Sequence, residues 1–200
     1  MTIHLVRHAP TEANLRGIIL GSGDSPLAEG AEELLRLLAR SLAGRGTGQI
    51  YSSPLGRALS SARFLSHALD VPMVVLPGLA ELSAGSLEGR RRREVLPPEG
   101  LLRSGRHDRP GGGESYADAT PRVREALRAV LPQSSGGSAL VVAHSVVNRL
   151  LLSLFANRPL EEFLSFTQPH GVILRLGSDG AVFRRDARPP FFTEEVMGPA

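Results

Sequence analysis

Ile3-His4-Leu5-Val6-Arg7-His8 stands at the start of the chain, and Ala139-Leu140-Val141-Val142-Ala143-His144 repeats its logic far downstream. Each is a short aliphatic run ending on a histidine, the pattern of a buried strand that delivers an imidazole at its carboxyl end. Working outward from the first, the polar, glycine-rich segment Ala9–Ser25 reads as a functional loop. Leu27, Leu34, Leu35, Leu37, Leu38 and Leu42 then recur near a 3.6-residue period, predicting a helix opened by Ser25-Pro26 and stopped by Gly44. Gln49–Ser52 predicts a second strand. Ser53-Pro54 opens a helix with Leu55, Leu59, Ala62, Leu65 and Leu69 along one face, and Val71–Leu76 supplies a third strand.

The alternation breaks at Ser83–Gly113, where the arginines Arg90 to Arg93, Pro97-Pro98 and the glycines Gly111 to Gly113 crowd together. That composition predicts an excursion from the core, a small cap over about residues 83–113. Beyond it, Glu114–Leu131 is expected to be helical, Ser138–Ala143 a strand and Val146–Ala156 a buried helix. Val172–Leu176 and Ala181–Arg185, separated by Gly177-Ser178-Asp179-Gly180, predict a hairpin, and residues 187–200 a proline-rich surface tail. Strands and helices in alternation specify an α/β fold. The expectation is a single domain over residues 1–200, a three-layer α/β/α sandwich on a mostly parallel sheet with one antiparallel edge strand. Ligands in such sheets bind beyond the carboxyl ends of the strands.

Composition narrows the chemistry. All 23 basic residues are arginine, so no lysine is present for a Schiff base or for a GxxxxGK[ST] phosphate loop. The absence of cysteine removes thiol catalysis, disulfides and cysteine-based metal sites. There is no HExxH and no acidic cluster at ligand spacing, so no metal and no cofactor are expected. With 200 residues, 42% of them hydrophobic, the chain is long enough to build a self-sufficient core. Its formal charge of +3 is small, and Arg90 to Arg93 have no aromatic neighbours for base stacking, so a nucleic-acid partner is not expected. Val146–Ala156, the longest apolar stretch, is interrupted by Asn148 and Arg149, and the N-terminus shows no basic-then-apolar leader. A cytoplasmic protein without membrane association is therefore expected, its oligomeric state left open.

The residues just past the predicted strands form a coherent chemical set. Arg7-His8 follow the first, Arg57 lies in the first turn of the helix after the second, Glu81 follows the third and His144 the fourth. Arginine's planar fork matches phosphate oxygens two at a time, and a helix start adds backbone N–H groups. A neutral imidazole can attack phosphorus, while two arginines and a second imidazole hold the equatorial oxygens of the transition state. A carboxylic acid beside them can protonate the departing alkoxide. This is a covalent phosphohistidine mechanism that needs no metal.

The order of the surrounding motifs sharpens the reading. Leu5-Val6-Arg7-His8-Ala9 with Thr11-Glu12-Ala13-Asn14, Gly23-Asp24-Ser25-Pro26-Leu27 and Ser52-Ser53-Pro54-Leu55-Gly56-Arg57-Ala58 come first. Glu81 with Gly85 and Leu87-Glu88-Gly89, then Gly112-Gly113-Glu114-Ser115, then Val141-Val142-Ala143-His144 complete the series. Over nearly its whole length the chain resembles the histidine phosphatase superfamily, which includes cofactor-dependent phosphoglycerate mutases and α-ribazole phosphatases. The resemblance implies that His8 accepts the phosphoryl group, that Arg7, Arg57 and His144 bind phosphate, and that Glu81 donates the proton. Asn14 would be an accessory contact to phosphate or to His8, and Gly21, Ser22 and Ser145 are expected to touch substrate. Ala9 and Ser145 stand where the family usually has glycine, and side chains there would narrow the pocket or tilt His8.

Hydrolysis of a small phosphorylated metabolite is the expected activity. A phosphoglycerate mutase would use the same residues but must shield its phosphoenzyme from water, and the modest excursion favours water as acceptor. A non-catalytic phosphate-binding module is the third reading. Glu88 rivals Glu81 as proton donor, although its place after Gly85-Ser86-Leu87 fits helix entry better. His4 is expected to be structural and His67 exposed; His107 and His170 could reach substrate but are expected to be inessential. Attack needs an uncharged His8, and the Arg7 and Arg57 cations are expected to keep its pKa below ~6.5.

Overall fold

The computed structural model describes residues 2–96, 100–131 and 137–177, together with strand residues 182–186 and 195–196. β1 (Thr2–Arg7) and β4 (Ser138–Ala143) lie side by side and parallel, with Arg7 opposite Ala143. His8 and His144 therefore leave the sheet at one level, as two apolar strands of similar length dictate. β2 (Thr47–Ser52) pairs with β4 and β3 (Met73–Val75) with β2, both parallel. On the other side β5 (Val172–Gly177) runs antiparallel to β1, and β6 (Val182–Asp186) and β7 (Glu195–Val196) continue that antiparallel edge. The order among the described residues is β3-β2-β4-β1-β5-β6-β7. The hairpin turn and the expected tail, apart from Glu195 and Val196, lie outside the described residues.

Alternation along the strands fills both faces. Leu5 and Val141 pack with helices α5 (Tyr116–Val130) and α6 (Ser145–Ala156), while Val6, Leu140, Val142 and Ile50 pack with α2 (Ala31–Leu42) and α3 (Gly56–Leu69). The result is the three-layer sandwich expected from the pattern. A one-turn α1 (Glu12–Leu15) sits in the loop after β1, closed by a reciprocal capping box between Thr11 and Asn14.

One boundary departs from the periodicity. α2 begins at Ala31 and not at Ser25-Pro26, because that stretch is strapped to the loop after β1: Glu12 N–H donates to the Pro26 carbonyl and Ala28 N–H to that of Pro10. The excursion over 83–113 is built from two short 3-10 turns and α4 (Arg92–Val95). Its ends are pinned together by glycines: a Cβ on Gly85, at φ +56, would lie 2.1 Å from the Gly111 carbonyl oxygen. Arg90 to Arg93 are exposed, and of them Arg92 also lines the cavity beyond the strand ends.

The buried histidines set an acid limit on this fold. His4 is buried in β1 and its Nδ1 has no partner among the described residues, and its pKa is lowered to about 4 by burial first and then by Arg45 and Arg175. The unfolded ring titrates near ~6.5, so between these values the unfolded chain binds a proton that the folded one refuses. Stability is thus full above pH ~6.5 and falls as pH drops toward 4, by about 3 kcal/mol from this residue alone. Buried His8 and His144 shift in the same direction. Urea denaturation between pH 7.5 and 4.5 should show a falling midpoint, shallower in His4→Leu. Identical pH dependence in the two proteins would refute the assignment.

Candidate active site

β1 carries its chain directly into His8, whose backbone N–H extends the ladder to the Ala143 carbonyl at 3.0 Å. The ring is buried. Nδ1 lies 2.7 Å from the Ala9 carbonyl oxygen, which can only accept, so Nδ1 carries the hydrogen. Nε2 then keeps its lone pair and accepts a hydrogen bond from Arg57 Nε at 3.3 Å. Ala9 itself packs among the residues facing α2 and α3 and does not line the cavity, so its methyl group does not narrow it.

Arg57 enters from the first turn of α3, its side chain 2% exposed. Its Nη2 donates to the Gly21 carbonyl at 2.9 Å and its Nη1 to that of Gly23. Asp24 is the carboxylate partner, taking both the Arg57 backbone N–H at 3.2 Å and Nη1 at 3.4 Å. The helix-start N–H expected to favour phosphate is thus already occupied by Asp24. Arg7, at the end of β1, donates through Nη1 to the Gln168 carbonyl, while its buried Nε has no partner among the described residues. Burial, more than the opposing pull of Glu81 and push of Arg57 and Arg149, lowers its pKa to about 10, so it stays cationic at neutral pH.

His144 caps α6 at the end of β4, its ring centroid 5.1 Å from that of His8. Its Nε2 pairs with Ser53 Oγ at 2.7 Å, and its Nδ1 is buried without a partner among the described residues. Both imidazoles are held well below their ordinary pKa. For His8 the largest cause is burial, with His144, Arg7, Arg57 and His170 adding to it; for His144 burial again leads, followed by Arg57, Arg7 and Arg122. The direction matches the expectation for His8, but desolvation outweighs the arginine charges.

Glu81 follows the 3-10 turn Pro77–Leu79 and lines the same cavity. Its Oε1 accepts from Leu82 N at 3.1 Å and Val147 N at 3.0 Å, and Oε2 from Val146 N at 3.1 Å. Glu81 therefore caps α6 from another element, next to His144. The rival Glu88 is engaged elsewhere. Burial pushes its pKa up, but backbone N–H groups of Ser22 and Ala84 and hydroxyls of Ser22 and Ser83 outweigh that and hold it below the usual carboxylate range.

The cavity is about 650 Å³. Arg7, His8, Arg57 and Glu81 line it together with Asn14, Gly21 and Ser145. Asn14 spends its side-chain oxygen on Thr11 N–H, and Ser22 donates to Glu88 and does not line the cavity. His107 and His67 are exposed. His170 is the residue that sequence reasoning undervalued: its Nδ1 donates to the His8 carbonyl at 2.6 Å and its ring meets that of His8 edge-on, centroids 5.2 Å apart. Arg103 and Arg149 also line the cavity, donating to neutral oxygens of Ser83, Glu114, Phe166 and Tyr116. Among the described residues no group of three or more histidines or acids is placed to hold a metal ion, and no helix is long and apolar enough to cross a membrane.

An uncharged imidazole beside two arginines, at the carboxyl ends of the strands of an α/β sheet, is an arrangement suited to a compact oxyanion. The chain belongs to the histidine phosphatase superfamily (branch 1), matched over residues 3–186. Members of this superfamily are phosphatases or mutases. A relative in Serratia proteamaculans (strain 568), named Probable phosphoglycerate mutase GpmB, is 32% identical over 164 residues, covering 80% of this chain and 76% of the relative. Among solved structures, Bacillus stearothermophilus YhfR matches with a TM-score of 0.75 at 26% identity, over 100% of this chain and 97% of its own. The α-ribazole phosphatase from Shigella flexneri matches with a TM-score of 0.71 at 25% identity, over 98% and 95%.

Proposed function

We propose that this protein is a metal-independent phosphomonoesterase that hydrolyses a small phosphorylated metabolite through phosphorylation of His8 Nε2. The observation that carries the reading is the state of that imidazole. Its Nδ1–H is committed to Ala9, so the lone pair of Nε2 faces the arginine beside it. Arg7 and Arg57, which line the cavity, hold the phosphoryl oxygens, and the buried Arg7 Nε has no other partner among the described residues; His144, beside His8 but not among the lining residues, assists them through its Nδ1. Both imidazoles start neutral, and a bound dianion favours protonation of His144. As the N–P bond forms, the P–O bond to the alcohol breaks and Glu81 supplies the proton that the leaving oxygen needs. Water then attacks phosphorus, the N–P bond breaks, and Glu81 recovers a proton from that water. Asn14, Gly21 and Ser145, which line the cavity, contact the substrate, with Asn14 as an accessory contact to phosphate or to His8; Ser22 serves instead to hold Glu88.

A mutase is the second reading, favoured by the name of the Serratia relative. The same test addresses both. Incubation with p-nitrophenyl phosphate, without added metal, should release nitrophenol and leave an acid-labile phosphoprotein on quenching. With phosphoglycerates, phosphate release should exceed isomer interconversion. Efficient interconversion with little release would replace the phosphatase by a mutase, and inactivity on a panel of phosphorylated metabolites would leave a phosphate-binding module.

A further inference from the structure

Four hydrogen bonds around His8 form a closed circuit. His8 Nδ1–H donates to the Ala9 carbonyl at 2.7 Å, and the Ala9 N–H donates to Ser61 Oγ at 2.9 Å. Ser61 Oγ–H donates to the Arg57 carbonyl at 2.8 Å, and Arg57 Nε–H returns to His8 Nε2 at 3.3 Å. Ser61 is the one hydroxyl in the circuit, 1% exposed, one turn along α3 from Arg57. It joins the loop that bears the nucleophile to the helix that bears the arginine, residues 52 apart in sequence.

The peptide between His8 and Ala9 is gripped at both ends. His170 Nδ1–H donates to the His8 carbonyl, and Ser61 receives the Ala9 N–H. This peptide anchors Ala9 on its N-terminal side, and the Ala9 carbonyl, which opens the next peptide, selects the tautomer of His8. We propose that Ser61 is a positioning residue for the nucleophile, holding the His8–Ala9 peptide against Arg57 so that Nδ1 stays the donor and Nε2 the attacking atom. A serine hydroxyl bonded to the carbonyl four residues back is ordinary in helices. The long-range acceptance from Ala9 is what gives it this second task. The proposal rests on His8 being the nucleophile, and the NMR part of its test does not.

Ser61→Ala removes the bridge and Ser61→Thr keeps it; Ser61→Cys keeps the volume with a poor acceptor, in case the alanine protein does not fold. With 15N-labelled histidine, the His8 Nδ1–H signal of the wild-type protein, assigned by its loss in His8→Asn, should broaden or vanish in Ser61→Ala and return in Ser61→Thr. In the same preparations kcat for p-nitrophenyl phosphate should fall about 10- to 100-fold in Ser61→Ala with KM changed by less than about threefold, since misorientation penalises attack more than binding. The acid limb of the pH profile should move up toward ~6.5 as the loosened ring gains hydration. An unchanged His8 signal in both Ser61→Ala and Ser61→Cys, or threonine that restores thermal stability without restoring kcat, would overturn the proposal. Wild-type protein that never forms phosphoenzyme would sink the phosphatase reading and leave the NMR comparison standing.

Discussion

His8→Ala should lower phosphomonoester turnover by at least about three orders of magnitude and leave no acid-labile phosphoprotein on quenching. The size of the effect follows from His8 Nε2 being an unprotonated nitrogen in hydrogen-bond contact with Arg57, whereas His144 pairs its Nε2 with Ser53. Arg57→Ala is a different lesion. It removes a charge 2% exposed and the contact to Nε2, so it should raise the apparent Kd for inorganic phosphate and slow attack while still allowing some phosphoenzyme to form. In wild type the rate should fall with acid as His8 gains a proton, with a midpoint below ~6.5 because burial and the surrounding cations disfavour the charged ring. The acid-sensitive stability set by His4 overlaps this window, so rates must be taken in brief pH jumps with recovery checked at pH 7.5. Normal phosphoenzyme levels in His8→Ala would end the assignment.

The strands, and the histidines at their ends, were legible because parallel buried strands write themselves as continuous aliphatic runs. β4 matches its expected span residue for residue, and β1 differs from it by one residue at each end. The false start of α2 shows where such reading stops: leucine periodicity includes Leu27, but Leu27 bridges to Thr11, a long-range contact that no local pattern encodes. His170 was visible as a residue and undervalued for the same reason. Antiparallel pairing of β5 with β1, with Ile173 opposite Val6, is what carries it beside His8 from 162 residues away. Asp24 and Ser61 likewise act through the tertiary approach of the loop after β1 to α3. The depressed pKa of His8 was expected from charge, yet its main cause, burial, becomes visible only once the sheet and helices close over the ring.

Glu81→Gln should slow esters with poor leaving groups, such as glycerol phosphates, by about 100-fold or more while p-nitrophenyl phosphate loses less than about tenfold. An alkoxide leaves badly without a proton, whereas nitrophenolate needs little help, so the ratio of the two losses isolates proton donation from everything else the side chain does. That separation matters because Glu81 has a second task, accepting N–H bonds from Leu82, Val146 and Val147 at the start of α6. Glutamine keeps one acceptor oxygen and turns an NH2 toward the other donors, so part of this cap is lost and both esters should slow somewhat. Equal slowing of both esters would reduce Glu81 to a cap for α6. The acid would then have to be sought away from Glu88 as well, whose Oε1 is already engaged by Ser22, Ser83 and Ala84, contacts that favour its charged form.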